Sequence, residues 1–418
     1  MNFLSFPFRS SIPPTGNLLI CALFVSLLFS RNCLSQSDSL SPYAQKVIST
    51  AKDVETKNKL VGKLDPNAMA SLPIGIVKEI GVTKYIIAID SGVFRPNGAF
   101  FSAYMAIELP GSATPLAFAA KNLSFNPKGV VAGPLTRLML VSEHRIKIGP
   151  DITLHLKPDG TNYVEWDCNG FRSVSLKGYF EFAPGMLLPD TSQTHEKFVT
   201  AGFQLITNDI HNFVADVSIS PFCINGLKDF SFTVKDAAVD LSEIANIPGI
   251  LFPKGYPNTG GINPVMWTGF YIRELKVKLP PELSKGGKRI EISANTFLID
   301  KTGVSGNIGI SNLFSLSEGS MSGWPFSVDQ LSVNFISNRI NGSSIAGQVQ
   351  LPVMDSVSTL KYTAGMYQNV TSKEVDYTFL IQPKNNVRFP AFAANVNIYN
   401  TSSFSTFKTS GRFIPTAI

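Results

Sequence analysis

From about Thr83 to the end of the chain, apolar residues recur at every second position. Ile152, Leu154 and Leu156 alternate with polar neighbours, Val174 and Leu176 lead into Phe180 and Phe182, and Leu275, Val277, Leu279, Val349 and Leu351 keep the same beat. A period of two puts the apolar set on one face of a strand, whereas a helix would scatter it around its axis. Between the runs lie Pro96-Asn97-Gly98, Pro158-Asp159-Gly160, Asn341-Gly342 and Lys285-Gly286-Gly287. Glycine and asparagine there supply the positive φ that hairpin turns require. The pattern predicts an all-β, antiparallel fold with few short helices. Helical spacing is confined to Tyr43, Val47 and Ala51, inside a polar stretch over 37–60, and to Leu241–Asn246, which Pro248-Gly249 would stop.

Of the 418 residues, 44% are hydrophobic and only 16% charged, with 31 Phe, 32 Gly and 27 Pro. That describes short strands and tight turns, with enough apolar material for two ordinary cores. The expected division is a signal segment over 1–35, a linker or short helical segment over 36–82, and two tandem β-modules over 83–260 and 261–418. Each module reads as an antiparallel β-sandwich or a solenoid-like β-repeat.

Internal similarity suggests the tandem arrangement. Tyr104 to Leu109-Pro110, followed by Ala119 to Gly129-Val130 and Ala132-Gly133, is echoed by Tyr271 to Leu279-Pro280, followed by Ala294 to Gly303-Val304 and Ser305-Gly306. In both, a strand stops at Leu-Pro because proline has no N–H for a ladder, and a second strand ends in a polar residue, spacers and a turning glycine. Strand-turn-strand segments also resemble one another for purely physical reasons, the competing explanation.

The address is written at the N-terminus. Asn17–Ser30 carries no charge and at 14 residues is too short to cross a ~30 Å hydrocarbon core, the length of a secretory signal's apolar region. Cys33 and Ser35 are small residues at the positions signal peptidase reads, so cleavage leaves Gln36 first. Retention as an anchor and lipidation on Cys33 are the competing outcomes, and Arg31-Asn32 before the cysteine disfavours the latter. Cleavage removes Arg9 and Arg31 and leaves a net charge of about +4, with both signs interspersed. No nucleic-acid footprint is expected, and no transmembrane segment follows the signal.

Candidate chemistry is sparse. The sequence contains no G-x-S-x-G elbow, Walker loop, G-x-G-x-x-G or H-E-x-x-H. His144, His155, His195 and His211 are dispersed. Asp159, Asn162, Glu165 and Asp167 form a small oxygen-rich cluster that a calcium ion would favour, although the spacing matches no EF-hand and a turn explains Asp159-Gly160 equally. No catalytic residue, cofactor or metal is therefore assigned. Cys168 and Cys223, the two cysteines beyond the signal, either form one disulfide or remain buried thiols. Trp166, Trp267 and Trp324 each sit near glycine and phenylalanine, and serve either as an exposed aromatic binding surface or, the commoner use, as core.

Several strings carry a family resemblance: GVSG at 303–306, GWPFSVD at 323–329 and GQVQLP at 347–352, with a signal ending Ser35-Gln36. They resemble large exported, repeat-containing β-rich proteins of Bacteroidota-type bacteria. The resemblance covers mainly the second half and rests on structural glycines and aromatics. It implies export and a repetitive β fold, attaches no activity, and suggests a short member or a fragment of a longer protein. The expected function is accordingly that of a non-enzymatic envelope scaffold or surface-binding, adhesion-type module, with envelope proteins or polysaccharide as partners. Two other readings stand beside it: a carbohydrate-active or other extracytoplasmic hydrolase, and a lipid-binding β-groove.

Overall fold

The computed structural model describes residues 40–417 except 66, 82, 96–97, 127–128, 132–135, 226, 254, 257–266, 282–283, 286, 322–323, 351–358, 369–374, 392–393 and 410–411. The signal segment 1–35 lies outside the described residues, as do Ala132-Gly133 and the Pro96-Asn97 turn.

Helix α1 (Pro42–Thr56) forms where the sparse apolar stripe predicted it. Ser41 caps it, its Oγ accepting from Ala44 N at 3.2 Å, and Pro42 enters the first turn, where a missing N–H costs nothing. Ala44, Val47 and Val54 bury against Ala88, Tyr104, Ala117 and Ala119 on the outer face of the first strands. Lys46 to Asp90 (3.3 Å) and Lys84 to Glu55 (3.5 Å) fasten its flanks.

The strands follow one another as an antiparallel ladder. Ile74–Ile80, Thr83–Arg95, Gly98–Ile107 and Leu116–Asn126 pair in sequence, and Leu116–Asn126 then meets Thr136–Leu140, which leads through Tyr163–Asp167 to Gly170–Phe182. Gly170–Phe182 hands the ladder to Val199–Thr207 and Val214–Ile219, and through Leu227–Asp240 it reaches Gly269–Lys278 and Glu291–Asp300. Gly303–Met321, Trp324–Ile336, Arg339–Val349, Leu360–Gln368 and Val375–Pro383 continue it to Phe404–Thr409 and Arg412–Ala417. Among the described strands, only the short Leu60–Val61 pairing with Ile74–Ile80 is parallel.

The alternation read from sequence is the alternation of burial. Leu154, Leu156, Val174, Leu176, Phe180, Phe182, Leu275, Val277 and Leu279 are all fully buried. Leu40–Ile418 is one compact unit, and a single core cluster runs from Leu64 to Met366. The ladder is unbroken at the expected module border, since Leu227–Asp240 pairs with Gly269–Lys278 over nearly its whole length. Phenylalanines cross that border: Phe270 lies 5.1 Å from Phe180 and 5.0 Å from Phe182, and Phe232 lies 5.9 Å from Phe297 and 6.3 Å from Phe335.

Two local expectations are corrected. Leu241–Asn246 is a loop, because the Asp240 carboxylate takes the Ser242 N–H (2.9 Å) and the Ile247 N–H (2.8 Å) and so satisfies the backbone without a helix. The hairpin turn expected at Asn341-Gly342 falls instead at Ser337-Asn338, whose φ values of 51° and 65° are those of a type I′ turn, with Ile336 opposite Arg339. Asn338 is held there by the Val304 N–H, which donates to its Oδ1 at 2.7 Å. Close approach explains Gly347, where a Cβ would lie 2.1 Å from the Ser327 carbonyl oxygen and 2.9 Å from the ring of Tyr362 on the next strand. The aromatic ring covers the bare backbone.

Phe232, fully buried and 5.2 Å from Phe222, joins rings from both sides of residue 260. Phe232→Ala is expected to lower the unfolding free energy by about 3–5 kcal/mol in urea titration. A loss below about 1 kcal/mol would contradict its place in the core.

Candidate functional site

The residues singled out in the sequence occupy structural positions. Trp166 is fully buried and meets Phe101 edge-on at 6.1 Å. Trp267 is 4% exposed, and its Nε1–H donates to Tyr256 Oη at 3.0 Å. Neither belongs to an exposed aromatic surface: Trp166 points from its strand into the main core, and Trp267, just before the strand Gly269–Lys278, packs in a smaller cluster with Tyr256 and Tyr271. Trp324 begins the strand Trp324–Ile336, opposite Met321, and its side chain lies outside the described residues.

Cys168 and Cys223, both half-buried, are not joined by a disulfide, one of the two outcomes the sequence left open. Register explains this. Cys168 sits in the two-residue turn joining Asp167 to Gly170, while Cys223 lies inside a different ladder, between Leu188 and Ser231. Burial, with the nearby Asp190 charge, pushes the Cys223 thiol up, which disfavours the nucleophilic thiolate.

The oxygen cluster is dispersed into separate tasks. Asp159 caps Thr161, accepting from its N–H at 3.0 Å and its hydroxyl at 2.6 Å. Asn162, fully buried, ties three backbone groups of Lys157 and Lys177 together. Glu165 accepts from Arg137, which also stacks 4.0 Å over Tyr163, and Asp167 faces Arg172 at 3.4 Å. Among the described residues, no three His, Cys, Asp or Glu side chains are placed to hold a metal ion.

A signal that sequence reasoning passed over accounts for the buried carboxylates: aspartate two positions before serine or threonine, at the end of a strand. Asp190, Asp240 and Asp300 are 6%, 0% and 3% exposed. Each accepts the backbone N–H of Ser192, Ser242 or Thr302, as Asp159 does for Thr161. Asp300 Oδ2 also accepts from Tyr256 Oη and from Trp267 Nε1 at 3.4 Å, tying both rings into a small cluster with Ala238, Ile247, Tyr271 and Leu298. Asp190 accepts from the hydroxyls of Ser192 and Ser231 and from the Gln193 amide. Burial pushes its carboxyl up, yet these hydrogen bonds outweigh it and hold the group at about 2. Asp240, with fewer donors, is pushed up by its burial. These are groups that position turns, and Asp190 and Asp300 also tie their turns to Ser231, Tyr256 and Trp267 elsewhere in the chain.

A concave feature with mixed chemistry is a cleft of about 280 Å³ beneath α1, which contributes Ile48, Ala51, Lys52 and Glu55. Thr83–Ile86 and Ala106–Glu108 form its floor, and Ile210-His211 its rim. Tyr85 shapes the floor, stacking on Phe171 at 4.0 Å and accepting the Ile210 N–H at 2.9 Å. His211 Nδ1 lies 2.5 Å from Glu243 Oε2, and Asp209 accepts the His211 N–H. Lys52, Lys84, Glu55 and Glu108 put charges of both signs on the lining, with Lys84 paired to Glu55 at 3.5 Å. The lining supplies no serine or cysteine, and the imidazole is turned to Glu243. Such a cleft has the size and mixed lining to take a small polar group.

Asp190 gives a pH signature. Its carboxyl, depressed from about 3.9 in an unfolded chain, contributes stability that is complete above about pH 5 and is lost as pH falls through about 2. Wild type is expected to exceed Asp190→Asn by about 2 kcal/mol at about pH 6, and by less than half of that at about pH 2.5. A gap equal at both pH values in chemical denaturation would refute the assignment.

No family model, curated protein or solved structure matches this chain, and its role is therefore read from its own geometry.

Proposed function

We propose that the protein is an exported, non-enzymatic β-scaffold of the cell envelope or outer surface that presents its sheet faces to envelope proteins or polysaccharide. The observation that carries this reading is the use made of its polar groups. The buried carboxylates cap turns, the tryptophans with described side chains fill core, and the strands form one continuous ladder on a phenylalanine spine. A molecule so organised is built to hold shape over distance.

In this reading the segments 83–260 and 261–418 are consecutive lengths of one solenoid-like repeat. Support comes from the paired similarity. Asn126 lies opposite Gly129 and Asp300 opposite Gly303, with two residues between them in each case, and Leu109 and Leu279 are both buried just beyond their strands. The copies diverge afterwards, into the three-residue strand Gly129–Val131 and the 19-residue strand Gly303–Met321.

The same residues give less support to the competing readings. A hydrolase cleft beside exposed Trp166 or Trp267 would need tryptophans that are buried here, and a lipid groove would leave phenylalanines facing solvent, whereas Phe198, at 39%, is the one phenylalanine so exposed among the described residues. Phe118, Phe171, Phe180, Phe182, Phe213, Phe222, Phe232, Phe270, Phe297 and Phe335 are each at most 2% exposed.

Export is directly testable. The full chain, produced with a C-terminal tag in a Gram-negative host, is expected to be recovered outside the cytoplasm with Gln36 as its N-terminus by terminal sequencing. An uncut chain confined to the cytoplasm would overturn the reading.

A further inference from the structure

The outer face of the first ladder carries a row of directly opposed residues on four strands: His155, Tyr179, Gly202 and Ser218. Tyr179 stands with one ring face against His155, at 4.6 Å between centroids and 5° between planes. Its other face looks across Gly202. No heavy atom lies within 4 Å of where a Cβ on Gly202 would be, so the space beside the ring is open down to the backbone. Ser218, exposed, closes the far side. Two strand spacings, about 10 Å, separate Tyr179 from Ser218, which admits one ring in contact at ~4 Å and no second.

The backing is unusual. His155 is 6% exposed although it lies on the outer face, and neither ring nitrogen has a hydrogen-bond partner. Burial pushes its pKa down, and Glu181, 3.7 Å from Nε2, offsets this only in part. At neutral pH it is an uncharged slab that holds the tyrosine upright. The rim is polar and of both signs. Lys177 opposite Gln204 bounds one end of the slot and Glu181 opposite Thr200 the other.

We propose that this slot binds one pyranose ring of a polysaccharide, with Tyr179 as the stacking wall, Gly202 as the floor and His155 as a positioning residue. One face of a pyranose is a set of weakly positive C–H groups that suits the negative face of an aromatic ring. Its edge is a rim of hydroxyls that both donate and accept, matched by Lys177, Gln204, Thr200, Ser218 and Glu181. An aromatic side chain of a partner protein would call for a second apolar wall, and Ser218 provides none. The inference deepens the surface-binding reading by naming the chemistry of the partner.

The test is calorimetric titration of the mature protein with cellohexaose and with chitohexaose. At least one is expected to bind with Kd below about 1 mM. Gly202→Leu, which fills open space at an outer position, should weaken that binding at least tenfold with the melting temperature unchanged. Ile206→Ala, on the same strand and 63% exposed, should leave it intact. Absence of binding to either saccharide, binding that survives Gly202→Leu, or displacement by N-acetylphenylalaninamide at equal concentration would each overturn the proposal. Export is assayed separately, so failure here leaves the secretion and scaffold reading standing.

Discussion

The contacts on which the structure depends are those between phenylalanines on strands far apart in sequence. Phe180 and Phe182 reach Phe270, and Phe230 and Phe232 reach Phe335. An antiparallel ladder secures only its nearest neighbours through backbone hydrogen bonds, and an isolated strand pair is marginal in water. Rings packed across the interior supply what the ladder lacks, burial of large apolar area between strands that share no hydrogen bonds. Because these rings come from both sides of residue 260, neither half owns its core.

Once the interior is filled this way, the polar residues are left with two tasks. Some fasten the turns, as the Asp-x-Ser/Thr strings at 190, 240 and 300 do, with carboxylates buried where unpaired charge would be costly. Others remain on outer faces, where the sheet offers flat, regularly spaced positions. α1 covers one such region, and beyond it the Tyr179–Gly202 slot is left open. A scaffold with a fixed interior and variable outer rows can add binding sites without disturbing its fold, the usual relation between framework and function.

Much of the architecture was legible in the sequence because one-sided burial writes itself as alternation. Ile152 to Leu156 and Val174 to Phe182 read as strands, and Tyr43, Val47 and Ala51 marked a linker or short helix where α1 forms. Turns were harder. Asn341-Gly342 has the better local chemistry, but Ser337-Asn338 won because the register with Val333 and Phe335 demanded it and Val304 anchored the asparagine. Leu241–Asn246 failed as a helix because one aspartate competed for its N–H groups. The aromatic packing across the expected module border was illegible, since it depends on which strands stack, and so was the slot, whose four residues come from four strands. No local string could announce either.

Cooperativity between the two halves is the central claim, and hydrogen exchange across a urea titration measures it directly. Amides of Gly170–Phe182 and of Trp324–Ile336 are followed in the same samples. A shared core predicts that both strands lose protection at one midpoint, and that Phe232→Ala moves the two midpoints together. Separate midpoints, with the substitution shifting only one of them, would show two independent modules and contradict the account.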